Sequence, residues 1–189
     1  EVVGNATIKS KFALLADAAG QVASPQIRNT GTIGGNVAQD TRCWYYRGGL
    51  PCYRAGGNTC FADTPSAMNR EHTIFNADRC VAVSNSDIAP ALVALDAKMV
   101  IQNSGGTAVV DAEKFFIGPA VDITRMTVLK SGDILTAIRI PNTWAGALVA
   151  ATMAYGWFPR VVRVERGALP GAAHGSQIIR GVAWDVFSK

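Results

Sequence analysis

The chain has 189 residues, a formal charge of +4, 49% hydrophobic and 17% charged residues, a globular composition long enough to bury a core without covalent staples. No apolar run reaches the roughly 18 residues that span a bilayer, so no segment reads as a membrane helix. The 18 Lys and Arg are scattered rather than gathered in a stripe or block, which argues against a nucleic-acid surface. The first residue is Glu1 and no signal-peptide pattern follows it, so the chain reads as a piece of something longer, with the cytoplasm as the expected compartment.

In chain order, "SKFALLADAAGQV" places Phe12, Leu15, Ala19 and Val22 at helical spacing, with Ser10 as the expected N-cap and Gly20 near the end. "SPQIRNTGTIGGNVAQD" breaks into Pro25, Gly31, Gly34 and Gly35 around short apolar patches, predicting a strand and tight turn. From Asp40 to Arg79 there is no period of 2 or 3.6 residues, and a loop of this length needs something to organise it. "SDIAPALVALDA" predicts a short helix from near Pro90, and "KMVIQNSGGTAVVDA" a hairpin across Ser104, Gly105 and Gly106. "DILTAIRIP" predicts a strand with Ile134, Thr136, Ile138 and Ile140 on one face, stopped by Pro141. Beyond Thr143 the pattern suggests a short helix and a Val-Arg alternation near 161–166.

Cys43, Cys52, Cys60 and Cys80 are separated by 8, 7 and 19 residues, with no C-x-x-C pair, so zinc-ribbon and thioredoxin spacings both fail. Buried free thiols or two disulfides are the plain readings. A count of four thiols also matches Cys₄ zinc and iron–sulfur centres, and Trp44, Tyr45 and Tyr46 would then be packing residues or a dry shell around the metal. His72 is a conceivable ligand, but four thiolates complete a tetrahedral set, which leaves it at the surface or beside a ligand; His174 has no neighbours of interest.

"GTIGGN" lacks the G-x-G-x-x-G order and disfavours a Rossmann site. Its readings are a plain strand-turn, or a close backbone approach to a flat or phosphorylated ligand with Thr32 offering a hydroxyl. Asp87 in "SDIAP" reads as a helix cap or as an acceptor for a ligand hydroxyl. No Ser-His-Asp or paired-carboxylate constellation has a persuasive setting.

Together, "SPQIRNTGTIGGN", "SDIAPALVALDA", "EKFFIGPA" and "DILTAIRIP" resemble, in that order and over roughly residues 8–144, the FAD-binding medium subunit of the xanthine dehydrogenase family of molybdenum hydroxylases. "RCWYYRGGLPCYRAGGNTCFA" and "IFNADRCVAV" look like the loop that a subgroup of the aldehyde oxidoreductase type inserts to hold a 4Fe-4S cluster. The resemblance implies an α+β fold, the second lobe of the family's FAD-binding domain, with a mixed or antiparallel sheet flanked by helices. It implies FAD lined by Thr32, Ile33, Gly34, Gly35 and Asn36, hydrogen-bonded by Asp87 and packed by Leu135, and cluster ligation by Cys43, Cys52, Cys60 and Cys80. The family's earlier glycine-rich pyrophosphate loop corresponds to a stretch before Glu1.

The implied domain covers 1–144, with the iron–sulfur loop at 40–80, and 145–189 is a divergent tail expected from a truncated or frame-shifted gene product. The implied partners are a molybdopterin-binding large subunit and a 2Fe-2S small subunit, with substrate oxidation on the partner. Export with a partner that carries the address is the alternative to a cytoplasmic location. A non-redox module with a Cys₄ zinc site or disulfides is the competing reading.

Overall fold

Asn5 opens helix α1 (Ala6–Lys11) by accepting a hydrogen bond from the Ile8 amide on Oδ1 at 3.1 Å, and Lys9 and Lys11 fall in its last turn, where the helix dipole favours cations. This is a computed structural model, and it describes residues 1–70, 72–73 and 78–146 together with the backbone of strands at 148–153, 162–167 and 178–179. At Phe12 the backbone leaves helical geometry, with φ −137°, before α2 (Ala13–Gly20) begins. The single helix expected from Ser10 is therefore two. Ser10 lies inside α1 and donates its hydroxyl to the Thr7 carbonyl instead of capping. The break lets Phe12 pack on the core beside Leu14, Leu15, Ala18 and Ala19.

Two short helices, α3 (Pro25–Thr30) and α4 (Ile33–Val37), stand where a strand and turn were expected. Ser24 Oγ accepts from the Ile27 amide at 3.4 Å with Pro25 in the first turn, and Thr32 Oγ1 accepts from the Gly35 amide at 2.9 Å. These caps outweigh the poor helix propensity of Gly34 and Gly35. The segment at 40–80 carries α5 (Trp44–Arg47) and a 3₁₀ turn, Tyr53–Ala55.

All six residues of α6 (Ala89–Ala94) are buried, as expected of a helix that is apolar all round. Its first turn holds Pro90, and ahead of it Ser86 Oγ accepts from the Ala89 amide at 3.0 Å. Around α6 pack α2, β1 (Lys98–Asn103) and, after β2 (Gly106–Asp111), the short α7 (Ala112–Phe115) with its fully buried Phe115.

β2 and β1 form the expected hairpin, pairing Asn103 with Gly106 across Ser104 and Gly105. Gly106 has φ +124°, a conformation that suits glycine. β3 (Ile134–Arg139) adds to the other side of β1, so the sheet runs β2-β1-β3 and is antiparallel throughout. This is the α+β architecture the sequence predicts.

The face assignment of β3 needs correction. Val100 pairs with Ala137 but Ile101 pairs with Leu135, which leaves Thr136 as a bulge residue, its hydroxyl donating to the Val100 carbonyl at 3.2 Å. The extra residue reverses the alternation. Leu135, Ile138 and Ile140 pack on the core, while Ile134 is 65% exposed.

Trp144 closes the domain. It is buried, and its Nε1 donates to Asp96 Oδ2 at 2.9 Å, while the Gly146 amide donates to the Lys11 carbonyl at 2.9 Å. Beyond it a separate antiparallel sheet runs β4 (Leu148–Met153), β5 (Val162–Gly167), β6 (Ile178–Ile179). β4 replaces the expected short helix, and β5 covers the Val-Arg alternation; His174 lies outside the described residues. Among the described residues no helix is long and apolar enough to cross a membrane.

Phe115→Ala is expected to lower stability by about 3–5 kcal/mol, read from the urea midpoint. Asp122 supplies a pH test. Its carboxylate accepts from the Thr124 hydroxyl at 2.6 Å and from Arg125 Nε at 2.7 Å, which pulls its pKa down to about 2. A depressed carboxylate favours the folded state above its ordinary range, and that contribution is lost as pH falls through about 2. Asp122→Asn should therefore flatten the dependence of the unfolding midpoint on pH between about 4 and about 2, measured in acid titrations.

Candidate functional site

The Thr32-capped turn of α4 and the segment preceding α6 face each other across a groove of about 730 Å³, a size within the usual range for small-molecule sites. Thr32, Ile33, Gly35, Asn36 and Asp87 all line it. Gly34 lies among them within α4 without lining the groove, and Leu135 does not line it either. Leu135 packs on the core from β3.

Several of the polar groups are already engaged. Asn36 Oδ1 accepts from the Ser86 hydroxyl at 2.7 Å, and Thr32 Oγ1 is occupied as a cap. Arg28, Arg42 and Asn85 also line the groove, and sequence reasoning did not single them out. Arg28 stands inside the stretch "SPQIRNTGTIGGN" and Asn85 two residues before Asp87, beside the residues that carried the sequence argument.

Cys43, Cys52, Cys60 and Cys80 line one small cavity. All are free thiols, and only Cys60 is more than slightly exposed. The arm at 72–73 returns them to one place. The Thr73 amide donates to the Val81 carbonyl at 3.0 Å and His72 bridges Ala82, which sets Cys80 opposite the first three cysteines. His72 does not line the cavity.

The loop carrying the cysteines is held by its own contacts. Thr41 Oγ1 accepts from the Cys43 amide at 3.3 Å, Arg47 Nε donates to the Thr41 carbonyl at 2.8 Å, and Tyr45 stacks on Phe61 with ring centres 6.2 Å apart. Gly57 is obligatory, because a Cβ there would meet the Pro51 carbonyl oxygen at 1.8 Å.

Burial pushes the Cys80 thiol up from its ordinary value. The Ala82 amide pulls it down, Cys60 pushes it up, Arg54 pulls it down and Cys43 pushes it up. The thiols thus sense one another. Among the described residues, however, no three His, Cys, Asp or Glu side chains gather closely enough to hold a single metal ion.

Groove and cavity are neighbours. Arg42 lines the first and Cys43 the second; on the far strand of the loop, Ala82 lines the cavity and Asn85 the groove. Asn85 Nδ2 donates to the Asp40 carbonyl at 3.1 Å, and the Asp40 carboxylate accepts from Arg54, which lines the cavity.

Comparison with known proteins supplies the family. The chain is 29% identical over 150 residues to the aldehyde oxidoreductase FAD-binding subunit PaoB of Escherichia coli (strain K12), a match covering 77% of this chain and 46% of that protein. It is 28% identical over 142 residues to the carbon monoxide dehydrogenase medium chain of Hydrogenophaga pseudoflava, covering 75% of this chain and 33% of that one. The chain therefore spans less than half the length of these relatives. A solved structure of the Cu,Mo-CO dehydrogenase in its cyanide-inactivated form shares the fold, with a TM-score of 0.55 at 20% identity over 88% of this chain and 44% of that one. Residues 1–143 match the family described as the FAD binding domain in molybdopterin dehydrogenase, and the chain belongs to that family.

Proposed function

We propose that this chain is the FAD-binding and 4Fe-4S electron-transfer unit of a molybdopterin-dependent oxidoreductase of the aldehyde or xanthine type. The single observation that carries the reading is the adjacency of Arg42 and Cys43, which puts a ligand-sized groove and a four-thiol cavity one residue apart. Consecutive Cα atoms are about 3.8 Å apart. A redox group in each place would be a short distance from the other.

The residues present fit both groups. For the flavin, Thr32, Ile33, Gly35 and Asn36 would supply a backbone-rich wall, with Gly34 keeping the α4 turn slim, and Asp87 would accept a hydrogen bond from a hydroxyl of the ribityl chain. For the cluster, Cys43, Cys52, Cys60 and Cys80 supply one thiol each around a cavity walled by Tyr45, Tyr46 and Phe61. A 4Fe-4S cluster takes one thiolate per iron, so its ligands surround a volume, whereas a single zinc draws four sulfurs to about 2.3 Å from one point. Four thiols lining one cavity, in a loop that resembles the cluster-holding loop of the aldehyde oxidoreductase type, support the cluster reading over the zinc alternative.

When bound, FAD and the cluster would supply one- and two-electron exchange. The chain's own residues bind, orient and exclude water. Tyr45, Tyr46 and Phe61 would form an apolar wall beside the thiols, and the Ser86–Asn36 hydrogen bond ties the two walls of the groove together.

By this reading residues 1–144 form the second lobe of a flavin-binding domain with the cluster loop inserted at 40–80, and 145–189 is a tail outside it. A molybdopterin-binding large subunit and a 2Fe-2S small subunit are the proposed partners, with substrate oxidation on the large subunit. The proposed compartment is the cytoplasm, with co-export alongside a partner as the alternative.

Anaerobically purified protein is expected to contain iron and acid-labile sulfide and to absorb broadly in the visible. Colourless protein with one bound zinc overturns the cluster assignment. Cys60→Ser should lose iron while its far-ultraviolet circular dichroism stays that of the parent; unchanged iron removes Cys60 from the ligand set. Asp87→Ala should weaken FAD binding by about tenfold or more, the worth of a charged hydrogen bond, in a flavin fluorescence titration, and an unchanged affinity removes Asp87 from the flavin site.

A further inference from the structure

Arg54 carries a charge where charges are seldom buried. Its side chain is only 3% exposed. One terminal nitrogen, Nη2, donates to Asp40 Oδ1 at 2.5 Å, and Nη1 donates to the Ile123 carbonyl at 2.8 Å. The guanidinium carbon sits 5.1 Å from the centre of the Tyr46 ring. These contacts fix the fork, yet the Nε–H is buried and among the described residues has no hydrogen-bond partner.

The same side chain lines the cavity of the four cysteines. A buried cation with an unused donor is costly unless something compensates it. Asp40 does so only in part, because its side chain is 47% exposed and its charge is screened by water. Thiolates in the cavity would provide the missing anion, and a sulfur is the acceptor chemistry that the wall beside Arg54 offers.

We propose that Arg54 is a positioning residue for the cysteine-held iron–sulfur cluster, lending it a buried positive charge and an Nε–H donor that raise its reduction potential. The proposal rests on the cluster assignment above. Reduction by one electron makes the centre more negative by one charge, so a fixed guanidinium nearby favours the reduced state over the oxidised one. Hydrogen bonds to sulfur act in the same direction. Asp40 and Ile123 hold the guanidinium in place, and Tyr46 covers its face.

The test is a redox titration of the full chain, loaded anaerobically with iron and sulfide, in which dithionite supplies the electron and the reduced cluster is read by electron paramagnetic resonance. Arg54→Met keeps much of the length and removes charge and donor. It should shift the midpoint potential to a more negative value with iron content retained. An unshifted midpoint in an iron-loaded Arg54→Met protein overturns the proposal.

Should Arg54→Met fail to hold iron, Arg54→Gln, which keeps an N–H donor without the charge, decides the matter. A lowered midpoint in Arg54→Gln supports the role, and a midpoint equal to the parent's overturns it. Loss of iron from both variants assigns Arg54 to holding the loop and overturns its electrostatic role. An iron-free parent protein overturns the cluster assignment, and this role with it, whereas a loaded parent with unmoved variants overturns the Arg54 role alone.

Discussion

A single hydroxyl joins the two halves of the site. Ser86, 1% exposed, donates to Asn36 Oδ1 at 2.7 Å and accepts from the Ala89 amide at 3.0 Å. It thereby starts α6 and ties it to α4 across 50 residues of sequence. Serine has one proton to give, and here that proton is committed between helices. Orphaning a buried partner of such a bond costs about 1–3 kcal/mol. The larger effect is geometric, since the excursion at 40–80 leaves the chain four residues after Asn36 and rejoins it six before Ser86.

With its ends clamped, the excursion has local structure of its own among its described residues. It carries its own turns, its own aromatic pair, and a backbone crossing at Gly57 too close for any side chain. Arg54 fastens it to the body of the domain by donating to the Ile123 carbonyl, 69 residues away. Aperiodic sequence of this length is uncommon without such organisation. Here polar contacts supply much of it, because the apolar cluster available to the loop is small, with Cys43, Cys80 and Ala82 at its centre.

The parts of the fold legible in the sequence are those governed by local periodicity. The hairpin of β1 and β2 was readable from two apolar runs across a glycine turn, and α6 from a proline at the head of an apolar stretch. α3 and α4 were not, because glycine-rich sequence reads as a turn until Ser24 and Thr32 are recognised as caps. The bulge at Thr136 has no local signature, since it is defined by what β1 presents opposite it. For the site, cysteine spacing was silent; the count of four thiols in one aperiodic loop left zinc, cluster, disulfides and free thiols open, and the resemblance singled out the cluster. Arg54 was invisible, as an arginine in a polar loop normally points to water.

The change of side at Arg42 and Cys43 has a consequence for how the molecule can vary. Arg42 lines the groove and Cys43, the next residue, lines the cavity. Groove and cavity are therefore two surfaces of one wall. A substitution that turns the backbone there reaches both at once. A backbone shift at this wall is therefore felt in the groove and in the cavity together.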